Sequence, residues 1–156
     1  GGFVEPQIQS EIPLDIKESY IENMSTRIDY YYRIGRASDL NEVVEIEKNL
    51  IDVFGPIPTP TQNLLLSSRL RIIYTDTPVS NIYLSKSSIQ IIIKEVDEKR
   101  GLDFLAAAGS YEDPNLSHLQ FKKEGPGKLK VVLFFSDGGR ANDLAFSFVR
   151  LFGRSG

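Results

Sequence analysis

The sequence contains no cysteine and no tryptophan, and it has one histidine and one methionine among its 156 residues. Without cysteine, the chain can form no disulfide, perform no thiol catalysis and build no zinc site that depends on cysteine ligands. This composition favours a reducing, cytoplasmic location. The sequence also lacks a run of about 18 apolar residues and a basic segment followed by an apolar stretch, so we expect neither a membrane span nor a signal peptide.

The chain also lacks an initiator methionine, because it begins with Gly1, Gly2 and Phe3. We therefore expect a domain excised from a longer protein, with residues 1–7 flexible and in part a remnant of cloning. Forty-one per cent of the residues are hydrophobic and 25% are charged, which suits a globular chain with a real core. The expectation is a single domain over residues 1–156.

No set of residues in the sequence has the spacing of a catalytic or metal site. His118 is the only imidazole, and a metal would need further ligands at suitable spacing. The segment from Gly125 to Lys128 has the glycines of a phosphate-binding loop, but they lie too close together and Leu129 follows the lysine, so a hairpin turn explains it better. We expect no enzymatic activity, no cofactor and no metal, and hence a domain that binds a partner.

Capping signals predict three helices in the first half of the sequence, over residues 19–36, 39–54 and 59–74. The first begins at Ser19 and Glu22, which have the spacing of a capping box. Its expected buried face, at helical spacing, consists of Ile21, Met24, Ile28 and Tyr31. The second helix ends before Gly55, because glycine favours the position after a helix C-terminus.

The second half of the sequence changes to the β-branched, alternating pattern of strands. Predicted strands cover residues 79–84, 88–94, 118–122 and 128–135, and predicted helices cover residues 97–109 and 140–152. The last strand is apolar on both faces, so we place it in the centre of the sheet. The predicted fold class is α+β: an N-terminal three-helix layer followed by a ββαββα unit with a mostly antiparallel four-stranded sheet.

Charge is divided unevenly along the chain. Residues 1–60 contain 11 acidic and 5 basic residues, a net charge of −6, whereas residues 61–156 contain 10 acidic and 13 basic residues, a net charge of +3. An acidic first part does not attract the phosphates of a nucleic acid. The second half leaves open an alternative function, an accessory module that contacts nucleic acid through Lys122, Lys123, Lys128 and Lys130.

Acidic and amide side chains of the second predicted helix gather away from its apolar face. The apolar face consists of Val43, Ile46, Leu50, Ile51 and Phe54. The opposite side carries Glu45, Asn49 and Asp52, one above the next. Asp52 is an acid in the last turn, where the helix dipole disfavours negative charge by about 0.3–1 kcal/mol. We hypothesise that these three residues present an acidic ridge to a basic partner surface.

The residues that resemble a known family lie mainly between positions 8 and 75. They are Ile12-Pro13, Tyr20-Ile21, Arg27, Tyr32-Arg33-Ile34, Glu45-Ile46, Leu50-Ile51-Asp52-Val53-Phe54-Gly55, Pro58, Leu64-Leu65 and Leu70-Arg71. This string resembles the C-terminal domain, or TRCF domain, of bacterial transcription-repair coupling factors. After residue 75 the likeness is limited to the order of the elements and a strand that contains Ile82.

The resemblance implies a regulatory domain that lacks the ATP-binding motifs of its parent, which is similar to a DNA translocase. In the family this domain docks on the UvrB-like N-terminal module of the same protein and covers the surface that UvrA uses. This autoinhibition ends when the parent engages RNA polymerase and DNA. The docking surface is implied to include positions 49 and 52. This sequence has Asn49 where the family has a glutamate and Val53 where the family has an arginine, whereas Asp52 matches the family. We therefore expect one charge pair, formed by Asp52 and helped by Glu45.

Overall fold

The structure of the chain is a computed structural model that describes residues 4–94 and 97–136. Its strands are β1 (Gln7–Ser10), β2 (Val79–Leu84), β3 (Ser88–Ile93), β4 (Leu116–Gly125) and β5 (Lys128–Phe135). Its helices are α1 (Met24–Arg36), α2 (Leu40–Phe54), α3 (Thr59–Tyr74) and α4 (Glu98–Gly109). The predicted helix over residues 140–152 lies outside the described residues. Within the described ranges, no helix is both long and apolar enough to cross a bilayer.

The order of the elements confirms the predicted α+β class, with three helices ahead of the main sheet. Neighbouring strands follow the order β1-β2-β3-β5-β4, and every pair is antiparallel except β1 with β2. β5 lies between β3 and β4, in the central place that its two apolar faces predicted. The turn between β4 and β5 contains Gly127 at a φ of 68°, a conformation that glycine adopts without strain. The hairpin interpretation of this segment is therefore confirmed.

The predicted count of four strands was wrong, because the described sheet also contains β1. β1 pairs in parallel with β2, from Gln7 opposite Asn81 to Ser10 opposite Leu84. The carbonyl of Val4 accepts a hydrogen bond from the amide of Asp76 at 2.9 Å. The flexibility of residues 1–7 stays a prediction. A four-residue strand with one apolar side chain gives no alternation to detect.

The chain divides into two compact units. One unit is Ile12–Ile72, which contains α1, α2 and most of α3, and the other holds the described residues on either side of it. Each unit is described by itself, and the single domain over residues 1–156 stays a prediction. In the sheet unit, one face of the strands is buried. It carries Val79, Ile82, Leu84, Ile89, Ile91, Ile93, Val131 and Leu133.

The helical unit has a core formed by side chains from each of its helices and from the segment before α1. Its buried members are Ile16, Ile21, Tyr30, Ile34, Ala37, Val43, Ile46, Leu50 and Leu65. α3 also caps α1, since the hydroxyl of Ser68 donates to the carbonyl of Ile34 at 2.8 Å and the guanidinium of Arg71 donates to the carbonyl of Ala37 at 2.8 Å. These contacts satisfy carbonyls that a helix end leaves without intrahelical partners.

The predicted start and the predicted buried face of the first helix were both wrong. α1 begins at Met24, and the Asn23 side chain accepts a hydrogen bond from the amide of Thr26 at 2.9 Å. Ser19 and Glu22 do not cap it, because the Arg27 guanidinium binds the carbonyls of residues 21 and 22 at 2.7 and 2.8 Å and holds them outside the helix.

The buried side of α1 is formed by Tyr30 and Ile34, which lie about 100° around the helix from the predicted stripe. Met24, Ile28 and Tyr31 are exposed, at 64%, 60% and 37% of their full surface. Of the predicted stripe, only Ile21 is buried, and it lies in a turn before the helix.

Candidate docking surface

α2 is fixed at its start by local hydrogen bonds. The Asp39 side chain accepts from the amide of Glu42 at 2.9 Å, as its capping position predicted. The Glu42 carboxylate reaches back to the amide and hydroxyl of Ser38, at 3.2 and 3.0 Å. Together these bonds satisfy free donors of the first turn and set where the helix begins.

The C-terminal end of α2 is held by Tyr20 and Gly55. Gly55 has a φ of 84°, and its amide donates to the carbonyl of Ile51 at 2.9 Å. The Tyr20 hydroxyl donates to the carbonyls of Gly55 and Leu50 at 2.9 and 3.3 Å. Its ring lies 5.8 Å from that of Phe54. Burial, with a smaller contribution from Tyr30, raises the pKa of the Tyr20 phenol, which therefore stays a hydrogen-bond donor.

Glu45 and Asp52 lie on the exposed side of α2, as predicted for the acidic ridge. The Glu45 carboxylate lies 3.6 Å from the ammonium of Lys48, and both side chains remain largely in solvent. Asp52 is exposed in the last turn. The two acids are seven residues apart, which places them about 10 Å apart along the helix axis. They form an outward pair of carboxylates.

Asn49 does not belong with that pair. Its side chain is half-buried, and its Oδ1 accepts a hydrogen bond from the hydroxyl of the buried Tyr30. The prediction that Asn49 points outward was therefore wrong, because α1 approaches α2 closely enough to pair with it. Of the three predicted ridge residues, Glu45 and Asp52 are exposed and form the candidate docking surface.

The predicted apolar face of α2 is confirmed at three of its five positions, since Val43, Ile46 and Leu50 are buried. Phe54 is half-buried, and Ile51 is 51% exposed. Ile51 lies next to Asp52 in the chain, so the outward side of α2 combines apolar and acidic groups. A partner surface that fits it would carry both basic and apolar side chains.

A groove of about 510 Å³ between α1 and α2 adjoins Glu45, and periodicity did not predict it. Two arginines of α1 line it and lie over tyrosine rings: the Arg33 guanidinium is 5.0 Å from the Tyr30 ring, and that of Arg36 is 4.9 Å from the Tyr32 ring. Cation–π contacts of this kind hold guanidinium groups in place. The signal in the sequence was the run of tyrosines and arginines over residues 27–36.

The lysines considered for nucleic-acid contact gather near the tip of the β4–β5 hairpin. Lys122 and Lys130 are cross-strand partners, and Lys123 and Lys128 are exposed. The ammonium of Lys130 lies 3.7 Å from the carboxylate of Glu124, which partly offsets the positive charge. His118 is exposed on β4, the strand at one edge of the described sheet, where its ring stacks on Phe134 at 4.2 Å.

Comparison with known proteins gives the same family throughout. A family model described as the TRCF domain matches residues 10–102. The transcription-repair-coupling factor of Haemophilus influenzae is 32% identical over 136 residues, which cover 83% of this chain and 11% of that protein. The transcription-repair-coupling factor of Escherichia coli is 37% identical over 65 residues, which cover 42% of this chain and 6% of that protein.

A solved structure, described as the C-terminal domain of transcription-repair coupling factor, has the same fold. Its TM-score is 0.69 at 17% sequence identity, with 96% of this chain and 92% of that chain covered. This chain spans 6% to 11% of the length of the two curated relatives above. The family model covers more than half of the chain and includes the whole of α2. The chain therefore belongs to the TRCF-domain family, the family found in transcription-repair coupling factors.

Proposed function

We propose that this chain is a non-catalytic regulatory domain that docks on the UvrB-like N-terminal module of its parent protein and masks the surface that binds UvrA. The observation that carries the proposal is the outward placement of Glu45 and Asp52 on one side of α2. Through the rest of its parent the domain acts on UvrA, RNA polymerase and DNA, without contacting them itself. Family membership supports a role within a much longer polypeptide.

The chemistry of this surface suits a contact that can be released. Exposed ion pairs contribute about 0.2–1 kcal/mol each, and salt weakens them. Two such pairs make a weak interaction between separate molecules. Within one polypeptide the tether supplies a millimolar effective concentration, so the same contacts hold the domain closed until a competing interaction opens it. An autoinhibitory contact requires this balance.

The test is the affinity of the chain for the separately produced UvrB-like module of its parent, measured by calorimetry at several salt concentrations. Replacing both acids, Glu45→Ala with Asp52→Ala, should weaken binding by roughly 2- to 30-fold, which corresponds to the loss of two exposed charge contacts. The wild-type affinity should fall as salt rises, and the double variant should respond less to salt.

The matched control removes two exposed acids from α4, Glu98→Ala with Asp103→Ala, and changes the net charge by the same amount. This variant should bind as the wild type does. An equal loss of affinity in both double variants would mean that only net charge matters. Wild-type affinity in the Glu45/Asp52 variant would show that this surface does not take part in docking.

A second candidate function is contact with nucleic acid through the lysines of the β4–β5 hairpin. The cross-strand pair Lys122 and Lys130 favours it, and Glu124 beside Lys130 opposes it. Micromolar DNA binding by the chain at physiological salt, lost on Lys122→Ala with Lys123→Ala, would support this function. Binding that appears only at low salt would be the nonspecific attraction of any basic patch.

A further inference from the structure

The exposed face of α1 has the sequence pattern of a buried one. Met24, Ile28 and Tyr31 lie on this face with Gly35, at intervals of four, three and four residues. Apolar residues at alternating intervals of three and four form the contact line of paired helices. We call these four residues the α1 seam. Its three side chains are exposed although each is large and apolar or aromatic.

Gly35 is the member of the α1 seam that its own fold does not explain. Glycine inside a helix is unfavourable relative to alanine, so it usually serves a turn or a close approach. A Cβ added at Gly35 would meet no heavy atom within 4 Å among those described. The glycine therefore leaves a gap that opens outward, at the place where a second helix could come close.

The α1 seam is held in place by the unit that carries it. The amide of Ile16 donates a hydrogen bond to the hydroxyl of Tyr31 at 2.7 Å, which fixes the tyrosine ring against the segment before the helix. Asn23 caps the start of α1, and the guanidinium of Arg71 caps its end. A preorganised surface loses little conformational entropy on binding.

We propose that the α1 seam binds the same seam of a second copy, as an antiparallel pair of helices around a two-fold axis. The intervals of four, three and four residues read the same in both directions, so a reversed copy places Met24 opposite the partner's Gly35 and Ile28 opposite the partner's Tyr31. The methionine side chain then fills the gap at the glycine. Such an interface is isologous: both copies use the same surface, each residue contact occurs twice, and assembly stops at the dimer.

The flanks of the paired helices favour the same arrangement. The positions beside the α1 seam are Ser25 and Tyr32 on one side and Arg27 and Ile34 on the other. In an antiparallel pair Ser25 faces the partner's Tyr32 and Arg27 faces the partner's Ile34, so no like charges meet there. The seam from Met24 to Gly35 is about 16 Å long. A contact of this length makes a weak dimer, with a dissociation constant between about 10 µM and 1 mM.

The experiment uses the chain itself between about 10 µM and 1 mM, followed by sedimentation equilibrium and by NMR of a [methyl-¹³C]methionine sample. Met24 is the only methionine, so its methyl group gives one signal, which reports on the two symmetric ends of the proposed contact. Wild-type chain should dimerise, and the Met24 signal should shift over the same concentration range.

Ile28→Glu and Gly35→Gln should each raise the dissociation constant at least tenfold. Gly35→Gln should fold normally, since the added side chain enters open space.

The matched control is Val53→Glu, which changes an α2 side chain as exposed as Ile28, at 60%. It should dimerise as the wild type does, and so should the variant with Glu45→Ala and Asp52→Ala, because the α1 seam does not use the docking acids. A wild-type chain that stays monomeric at about 1 mM would overturn the proposal. The α1 seam would then be a candidate binding surface for a helix of another protein. Normal dimerisation of Gly35→Gln would overturn it as well.

Discussion

The hydroxyl of Tyr30 donates a hydrogen bond to Oδ1 of Asn49, and this contact joins α1 to α2. Tyr30 is buried, and its ring also meets the edge of Phe54 at 5.9 Å. Asn49 therefore joins the two helices of the helical unit, and the proposed docking contact rests on Glu45 and Asp52. The position that differs from the family's glutamate has a structural role in this chain.

Replacement of Asn49 by alanine should destabilise the fold without changing docking. The lost hydrogen bond should lower the free energy of unfolding by about 0.5–1.5 kcal/mol. Tyr30→Phe should cost a similar amount, and the double variant should cost less than the sum, because both singles remove one interaction. Urea denaturation of the four proteins gives this coupling. Asn41→Ala, an exposed asparagine on the same helix, is the control and should be nearly neutral.

Glu47 and Glu45, two residues apart on α2, should respond very differently to truncation. Glu47 forms an ion pair with Arg69, whose side chain is only 12% exposed and whose pKa is lowered by burial. Glu47→Ala leaves that partly buried charge without its partner, so it should cost about 1–3 kcal/mol of unfolding free energy. Glu45→Ala should change stability by less than about 0.5 kcal/mol, because its pair with Lys48 is exposed.

Thermal and urea unfolding of these two variants check this prediction. A similar cost for both would mean that the Arg69 contact is not a stabilising one. The comparison also separates the two aims of mutagenesis on α2: a Glu45 variant tests the proposed docking, whereas a Glu47 variant tests the stability of the fold.

Gly55 should be the glycine at which alanine is most damaging in the helical unit. Its φ of 84° lies in the left-handed region, where an L side chain costs about 1–2 kcal/mol. Gly55→Ala should lower the unfolding free energy by that amount. Gly109→Ala, at the end of α4, should be neutral or stabilising by up to about 1 kcal/mol, because the backbone there has no positive φ and the space is open. A chemical denaturation curve for each variant gives its unfolding free energy, and an equal effect of the two substitutions would contradict the prediction.

The course of α2 could be predicted from the sequence because its signals are local. Asp39 supplies its start and Gly55 its end, within one or two residues of the helix itself. The residues that carry the family resemblance also proved to be largely structural: Tyr20 holds the end of α2, and Arg71 holds the end of α1. The residues that carry the family resemblance therefore identified the fold because several of them hold the fold together.

The errors arose where specific side-chain and strand contacts override simple patterns. The Arg27 guanidinium holds the carbonyls of residues 21 and 22, five and six positions before it, and this contact delays the start of α1. β1 pairs with β2, more than 70 residues away in the chain, so no local pattern announces it. The period of α2 placed Asn49 outward, but periodicity does not reveal that Tyr30 reaches it.

Tyr74 should make the fold sensitive to alkaline pH. It is fully buried, and burial, with a smaller contribution from Tyr111, raises the pKa of its phenol above the ordinary value near 10. The unfolded chain then releases this proton first, so the stability tied to Tyr74 is complete below about pH 10 and falls by up to about 1.4 kcal/mol per pH unit above it. Thermal melts between pH 8 and pH 11 should show a shallower decline for Tyr74→Phe than for wild type. The control Tyr32→Phe removes an exposed phenol and should keep the wild-type slope, and a Tyr74→Phe slope equal to wild type would contradict the assignment.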